Sequence, residues 1–118
     1  MKYLCLIYEN EQAWAAMPQA EADSTLGEYF AFTDNYTKSG HVLGSNALQP
    51  THTATTVRVR NGKVSTTDGP FAETREQLGG YYLVEAKDLD EAISIAARIP
   101  SARYGTIEVR PVVVFDNM

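Results

Sequence analysis

Tyr3-Leu4-Cys5-Leu6-Ile7-Tyr8 is an uninterrupted apolar run. Six residues is short for a helix, and the aromatic and β-branched content suits a strand. A strand with one wet face would alternate polar and apolar residues; a strand apolar throughout belongs in the middle of a sheet. The fold must therefore be organised around a sheet with this segment at its centre.

The rest of the chain supplies the other elements. Asn10 to Ala22 reads as a loop or a single helical turn, with Trp14 as a lid or a packed anchor. Thr25-Leu26-Gly27-Glu28 matches a capping box, in which the threonine and glutamate side chains satisfy free N–H groups at a helix start. Leu26, Tyr29, Phe30 and Thr33 follow at helical spacing, and Gly40 is placed to end the helix in a left-handed conformation. His41 to Gln49 reads as a strand. Thr55 to Arg60 alternates, with Val57 and Val59 on one face and Arg58 and Arg60 on the other. Asn61-Gly62 predicts a type I′ hairpin turn, and Lys63 to Thr67 returns from it. Asp68-Gly69-Pro70-Phe71 interrupts regular structure, because proline has no N–H and restricts the residue before it. Leu78 to Glu85 is a strand whose Gly79-Gly80 pair marks a bulge or a close backbone approach. Asp88 caps a second helix with Leu89, Ala92, Ile93, Ala96 and Ala97 on its apolar face, and Pro100 ends it. A last strand spans about Gly105 to Phe115.

This order predicts an α+β fold of the ferredoxin-like βαββαβ type with an extra hairpin, as a single domain over residues 1–118. The helices cover one face of an antiparallel sheet; the other is either solvated or buried against a second subunit. Composition supports a globular domain, at 44% hydrophobic and 21% charged residues. Ten basic residues against fifteen acidic ones give a net charge of −5, which argues against nucleic acid or an anionic membrane as a partner. No apolar run is long enough to span a bilayer, no signal-peptide pattern is present, and one cysteine forms no internal disulfide. The expected location is cytoplasmic.

Few residues carry an obvious chemistry. Cys5, His41 and His52 are the soft or imidazole ligands, and they lack metal-ligand spacing, so no metal and no cofactor is expected. Cys5 lies in the apolar strand and reads as core. No phosphate-binding glycine loop or nucleophile elbow occurs. Asp68, Glu73 and Arg75 share one irregular segment, where a carboxylate beside Pro70 and Phe71 could serve as a general acid or base. The alternative is that Asp68-Gly69-Pro70 is only a turn, Asp68 bonding its own backbone. Arg58, Arg60, Glu108 and Arg110 face outward from strands, either as solvated charges or, for Arg110, as an anion anchor at a subunit boundary. Tyr8 is a candidate pocket wall among several tyrosines.

The segment from Asp68-Gly69-Pro70-Phe71 to Leu78-Gly79-Gly80-Tyr81-Tyr82 resembles the YCII-related family of the DGPF type. Met1-Lys2-Tyr3, Leu48-Gln49-Pro50, Ala54 to Arg58, Glu85-Ala86, Asp88 to Ala92, Ala96 to Pro100 and Glu108 to Pro111 resemble its other blocks, in the same order. The resemblance implies a ferredoxin-like subunit that dimerises through its sheet as a dimeric α+β barrel, in a bacterial, cytoplasmic protein with no settled reaction. Asp68 is the one acid whose place in the tetrapeptide supports a role, and the acid and bases on that segment suggest a small organic molecule in a pocket between sheet, helix and the 68–75 loop, with Asp68 as the acid–base candidate, Arg75 and Arg110 as anion anchors, and Tyr8 and Phe71 beside them. Related members carry a His–Asp pair, but neither His41 nor His52 lies in the first helix where that histidine belongs, so the pair does not transfer. Arg75 stands where the family more often has lysine, which rules out a Schiff-base amine at that position. The alternative implied function is a non-enzymatic regulatory or ligand-sensing module associated with an extracytoplasmic-function sigma factor.

Overall fold

A computed structural model describes residues 1–116. Strand β1 (Lys2–Glu9) is followed by a short helix α1 (Glu11–Ala15) and a long helix α2 (Gln19–Lys38). Strand β2 (Val42–Ala47), the hairpin β3 (Thr55–Arg60) and β4 (Lys63–Asp68), and β5 (Gln77–Glu85) come next. Helix α3 (Leu89–Ala96) and strand β6 (Thr106–Pro111) complete the chain. The main sheet has the order β2-β5-β1-β6, with each pair antiparallel. This α+β arrangement, an antiparallel sheet with three helices, is consistent with a ferredoxin-like fold. β3 and β4 form a separate two-stranded sheet inserted between β2 and β5.

The central place of Tyr3–Tyr8 follows from its composition: β1 is paired on both edges. Tyr3, Cys5 and Ile7 point to the helix side and are buried with Val42, Tyr82 and Val84. Phe32 of α2 packs against them, its ring 5.0 Å from that of Tyr82, and Ala92, Ile95 and Ala96 of α3 join with Ile99. Leu4, Leu6 and Tyr8 point to the opposite face, across from Leu83, Tyr81 and Leu78. Among the described residues no helix covers that face, and its central side chains Leu4, Leu6, Tyr8, Tyr81 and Leu83 are half-buried.

Local signals account for many boundaries. Gly40 has φ +85°, and the amides of Gly40 and His41 close back onto the carbonyls of Thr37 and Tyr36, satisfying the end of α2. Asn61 and Gly62 take φ 53° and 74°, as a type I′ turn requires. Gly79 is the extra residue of a bulge, since Ile7 pairs with Gly80 and Tyr8 with Leu78. Asp88 accepts a hydrogen bond from the Glu91 amide and caps α3.

Three expectations are corrected. α2 begins at Gln19, not at Thr25: Pro18 supplies an extended entry, and Thr25 is a buried interior residue whose hydroxyl donates to the Glu21 carbonyl. The 10–22 segment is therefore mostly helical, with Asn10 capping α1 through the Ala13 amide. On α3, Ile95 is buried, whereas Leu89 and Ile93 are about half exposed; burial follows the Ala92, Ile95, Ala96, Ile99 stripe. The last strand ends at Pro111 rather than Phe115. The Val112 amide still reaches the Lys2 carbonyl, and Val113, Val114 and Phe115 then leave the sheet exposed.

The outline is flat, 48 × 47 × 20 Å, with a radius of gyration of 16.4 Å. A compact chain of this length has about 13.5 Å. The excess reflects the β3–β4 arm, every residue of which is exposed apart from the half-buried Thr56.

Candidate functional site

Where β1 and β5 reach the Glu9–Gln77 end of the sheet, the chain turns into α1 on one strand and arrives from the irregular 69–76 segment on the other. Side chains tie the two together. The Glu11 amide donates to Gln77 Oε1 at 3.0 Å, and Gln77 Nε2 donates to the Thr74 carbonyl at 2.6 Å. The Glu11 carboxylate accepts from both the amide and the hydroxyl of Thr51, each at 2.8 Å. Between these elements lies an open groove of about 420 Å³, lined by Asn10, Glu11, Gln12 and Thr51 on one side and by Pro70, Glu73, Thr74 and Arg75 on the other.

Of the site residues expected from sequence, Arg75 lines this groove, and its guanidinium has no hydrogen bond or ion pair among the described residues. Asp68 closes β4 opposite Thr55, exposed, two residues before the groove-lining Pro70. Gly69 takes φ +100°; its amide donates to the Ala54 carbonyl and its carbonyl accepts from the Thr56 hydroxyl. These bonds fasten the base of the arm, so the turn itself is backbone architecture. Phe71 is 81% exposed. Tyr8 and Arg110 lie on the open sheet face, Tyr8 between Leu78 and Thr106, and Arg110 paired with Glu108 at 2.7 Å. The groove thus gathers Arg75 and Glu73, while Tyr8 and Arg110 belong to a different surface.

A second polar cluster escaped the sequence reading. Glu9 continues the inward alternation of Tyr3, Cys5 and Ile7, and its carboxylate accepts from Ser101 Oγ at 3.2 Å. Ser101 is fully buried and shares a short hydrogen bond with the Tyr29 hydroxyl. Burial holds the Glu9 carboxyl above the usual carboxylate range, against the pull of the Ser101 bond and with a smaller push from the Glu76 charge. Burial likewise pushes the Tyr29 hydroxyl up to about 12. The signal was present in the register, since an acid at the fourth inward position of a buried strand needs a polar partner.

His41 has neighbours that resemble a catalytic array: Ser39 Oγ lies 2.7 Å from Nδ1 and Glu91 Oε1 3.4 Å from Nε2. Ser39 also donates to the Tyr36 carbonyl at the end of α2. A helix C-terminus presents carbonyl oxygens, which oppose the anion an acyl-transfer site must stabilise, so the trio acts as a helix cap linked to α3. Cys5 is buried, and desolvation pushes its thiol up to about 11, the opposite of an activated nucleophile. Among the described residues no group of three His, Cys, Asp or Glu side chains could hold a metal ion, and no helix is long and apolar enough to cross a membrane.

Comparison with known proteins adds the family. The model of the YCII-related domain matches residues 1–116. An uncharacterized protein of Rhizobium meliloti (strain 1021) is 35% identical over 117 residues, covering 98% of this chain and 94% of that protein. A match over residues 1–116 of 118 shows that the protein belongs to the YCII-related domain family.

Proposed function

We propose that this protein is a homodimer that binds a small organic acid in the groove between α1 and the Pro70–Gln77 segment. The carrying observation is Arg75: a guanidinium with no hydrogen bond or ion pair among the described residues, in a groove that mixes polar side chains with Pro70 and Ala72. A planar guanidinium binds a carboxylate through two parallel hydrogen bonds, and the side-chain amide of Gln12 lines the same groove. Asp68, at the turn leading into this segment, is the acid nearest in sequence to Pro70 and stands as the acid–base candidate.

The dimer is supported by the open face of the sheet. Leu4, Leu6, Tyr8, Tyr81 and Leu83 form a contiguous patch without a helix over it. Patches of this kind mark association sites. Two such faces stacked together would make the dimeric α+β barrel, with Tyr8 inside and the Arg110–Glu108 pair near the rim.

A thermal-shift screen of small mono- and dicarboxylates tests the binding reading. A ligand at 100 times its dissociation constant stabilises by about 2.7 kcal/mol, and Arg75→Ala should abolish that gain without lowering the unliganded midpoint. Asp68→Asn should weaken binding less than Arg75→Ala. Equal shifts in wild type and Arg75→Ala would remove Arg75 from the site. Light scattering tests the dimer: the expected mass is twice 13.0 kDa, falling to one subunit in Leu6→Lys.

A further inference from the structure

We infer that the ligand of the groove is a small amino acid, held with its carboxylate on Arg75 and its ammonium on Glu73. The inference deepens the organic-acid reading above and rests on it. It starts from the ionisable side chains that line the groove, Glu11, Glu73 and Arg75. Glu11 is committed to the fold, since its two carboxylate oxygens accept from the amide and the hydroxyl of Thr51. Glu73 and Arg75 are exposed, and neither side chain has a hydrogen bond or an ion pair among the described residues.

Spacing makes that lack of pairing informative. Two residues of chain span at most about 7 Å, so Glu73 and Arg75 start within reach of each other and still leave each other's charge unneutralised. The backbone between them is fastened. The Thr74 hydroxyl donates to the Glu76 carbonyl at 2.6 Å, and the Thr74 carbonyl accepts from Gln77 Nε2 at 2.6 Å. Upstream, the Gly69 amide donates to the Ala54 carbonyl and the Gly69 carbonyl accepts from the Thr56 hydroxyl. One tethered segment thus presents two opposite charges to the groove, with Pro70 and Ala72 as a short apolar strip beside them.

Donor and acceptor chemistry then separates the classes of organic acid. A guanidinium has only donors and an ionised carboxylate only acceptors, so a ligand that serves both must carry an acceptor group and a donor group. A monocarboxylate serves Arg75 and leaves Glu73 without a partner. A dicarboxylate brings a second negative charge to a groove that already holds two acids and one base, in a chain of net charge −5. Like charges set against each other select against such a ligand. A diamine meets the same obstacle at Arg75. An amino acid adds no net charge, offers its carboxylate to the planar guanidinium and offers three N–H donors to Glu73. Arg75 is then the anchor, and Glu73 is the residue that sets specificity.

Calorimetric titration of the full chain with a set of five-carbon acids tests the assignment. Norvaline carries its ammonium next to the carboxylate and δ-aminovalerate carries it at the far end; valerate lacks it, and glutarate replaces it with a second carboxylate. Expected is that at least one of the two amino acids binds about fivefold tighter than valerate, with glutarate the weakest. Glu73→Gln should bring the amino acids down to the level of valerate, and Glu73→Lys should make glutarate the tightest of the set. Glu73 is exposed, so both variants should keep the circular dichroism and thermal midpoint of the wild type. If valerate or glutarate binds wild type as tightly as both amino acids, and Arg75→Ala abolishes that binding, the amino-acid assignment is overturned and the organic-acid reading stands. A preference for the amino acids that survives Glu73→Gln also overturns it, because another group then holds the ammonium. Binding of none of the set, or binding that Arg75→Ala leaves unchanged, defeats both.

Discussion

The helix-covered side of the main sheet and the β3–β4 arm are written in the same alphabet and end in opposite states. Val84 on β5 is completely buried, whereas Val64 on β4 is 70% exposed. Both sit on strands that present apolar side chains to one face, and both strands are fully paired with a neighbour. The difference lies in what the chain folds onto each face. α2 and α3 follow β1 and β5 and return over the sheet, so the apolar face meets Phe32, Ala92 and Ile95. The hairpin is followed by the Gly69-Pro70 break, which sends the chain back to the body and leaves the arm uncovered by the described residues. Alternation therefore specifies that a face wants cover; chain order decides whether the same molecule provides it.

The sharpest way to break this contrast is a glycine in each region. A Cβ at Gly105 would collide with the backbone carbonyl of Tyr8 and crowd Glu9 Cβ at 3.1 Å and the Ser101 carbonyl at 3.2 Å. None of these is the free end of a flexible side chain, so Gly105→Ala should cost about 3 kcal/mol or more in urea unfolding. Gly62, at φ +74° in the arm's turn, meets nothing within 4 Å. Gly62→Ala should cost only about 1 kcal/mol, from the conformation alone, and leave the body's unfolding midpoint almost unchanged.

Side-chain truncation gives the same comparison at a lower magnitude. Ile99 is 1% exposed beneath α3, and Ile99→Ala should lose about 2–5 kcal/mol of stability. Val64→Ala, measured under conditions where subunits are apart, should stay within about 0.5 kcal/mol of wild type. Equal losses at the two sites would mean that the arm packs onto its own body.

Much of this contrast was legible in the residues. Asn61-Gly62, Gly40 and Asp88 each act through their own backbone or a neighbour a few residues away, so short-range patterns reveal them, and the Gly79-Gly80 pair marks its bulge by composition although the strand it faces is distant in sequence. The start of α2 was not legible, because Thr25-Leu26-Gly27-Glu28 is a sound capping box in isolation, and only the tertiary packing that buries Thr25 overrules it. The end of β6 depended on the partner strand: β1 begins at Lys2, and residues beyond Val112 have nothing left to pair with. Arg75 was found because it shares a segment with Asp68 and Glu73. Glu11, Thr51 and Gln77, which build the groove around it, are 40 or more residues apart in places and come together only in the fold.

Gly80→Ala probes the body's own edge. A Cβ there would lie 2.8 Å from the Asn46 carbonyl and 3.3 Å from the Ala47 Cα, both on the backbone of β2. Strand β2 must move away from β5 to admit it, at a cost of about 1–3 kcal/mol. Amide exchange should then accelerate at Asn46 and Leu48, near the Glu9 end, more than at Val84, where the Val42 pairing is untouched.

The smallest expected effect sits where the core turns polar. Glu9 is the one inward-facing residue of β1 that ionises near the carboxylate range, and burial raises its carboxyl in the folded state relative to the unfolded chain. The folded form therefore binds its proton more tightly than the unfolded form does. The resulting stabilisation is complete below the unfolded value and is lost as pH rises through the folded value; above it, the charged carboxylate is held in place at a cost that the Ser101 bond only partly offsets. Glu9→Gln keeps an oxygen to accept from Ser101 and removes the ionisation. Its thermal midpoint should exceed that of wild type at pH 7, with the gap closing as pH falls into and below the ordinary glutamate range. A gap independent of pH would mean that Glu9 does not carry a proton in the folded state more readily than in the unfolded one, and that its inward placement on β1 does not disfavour its charge.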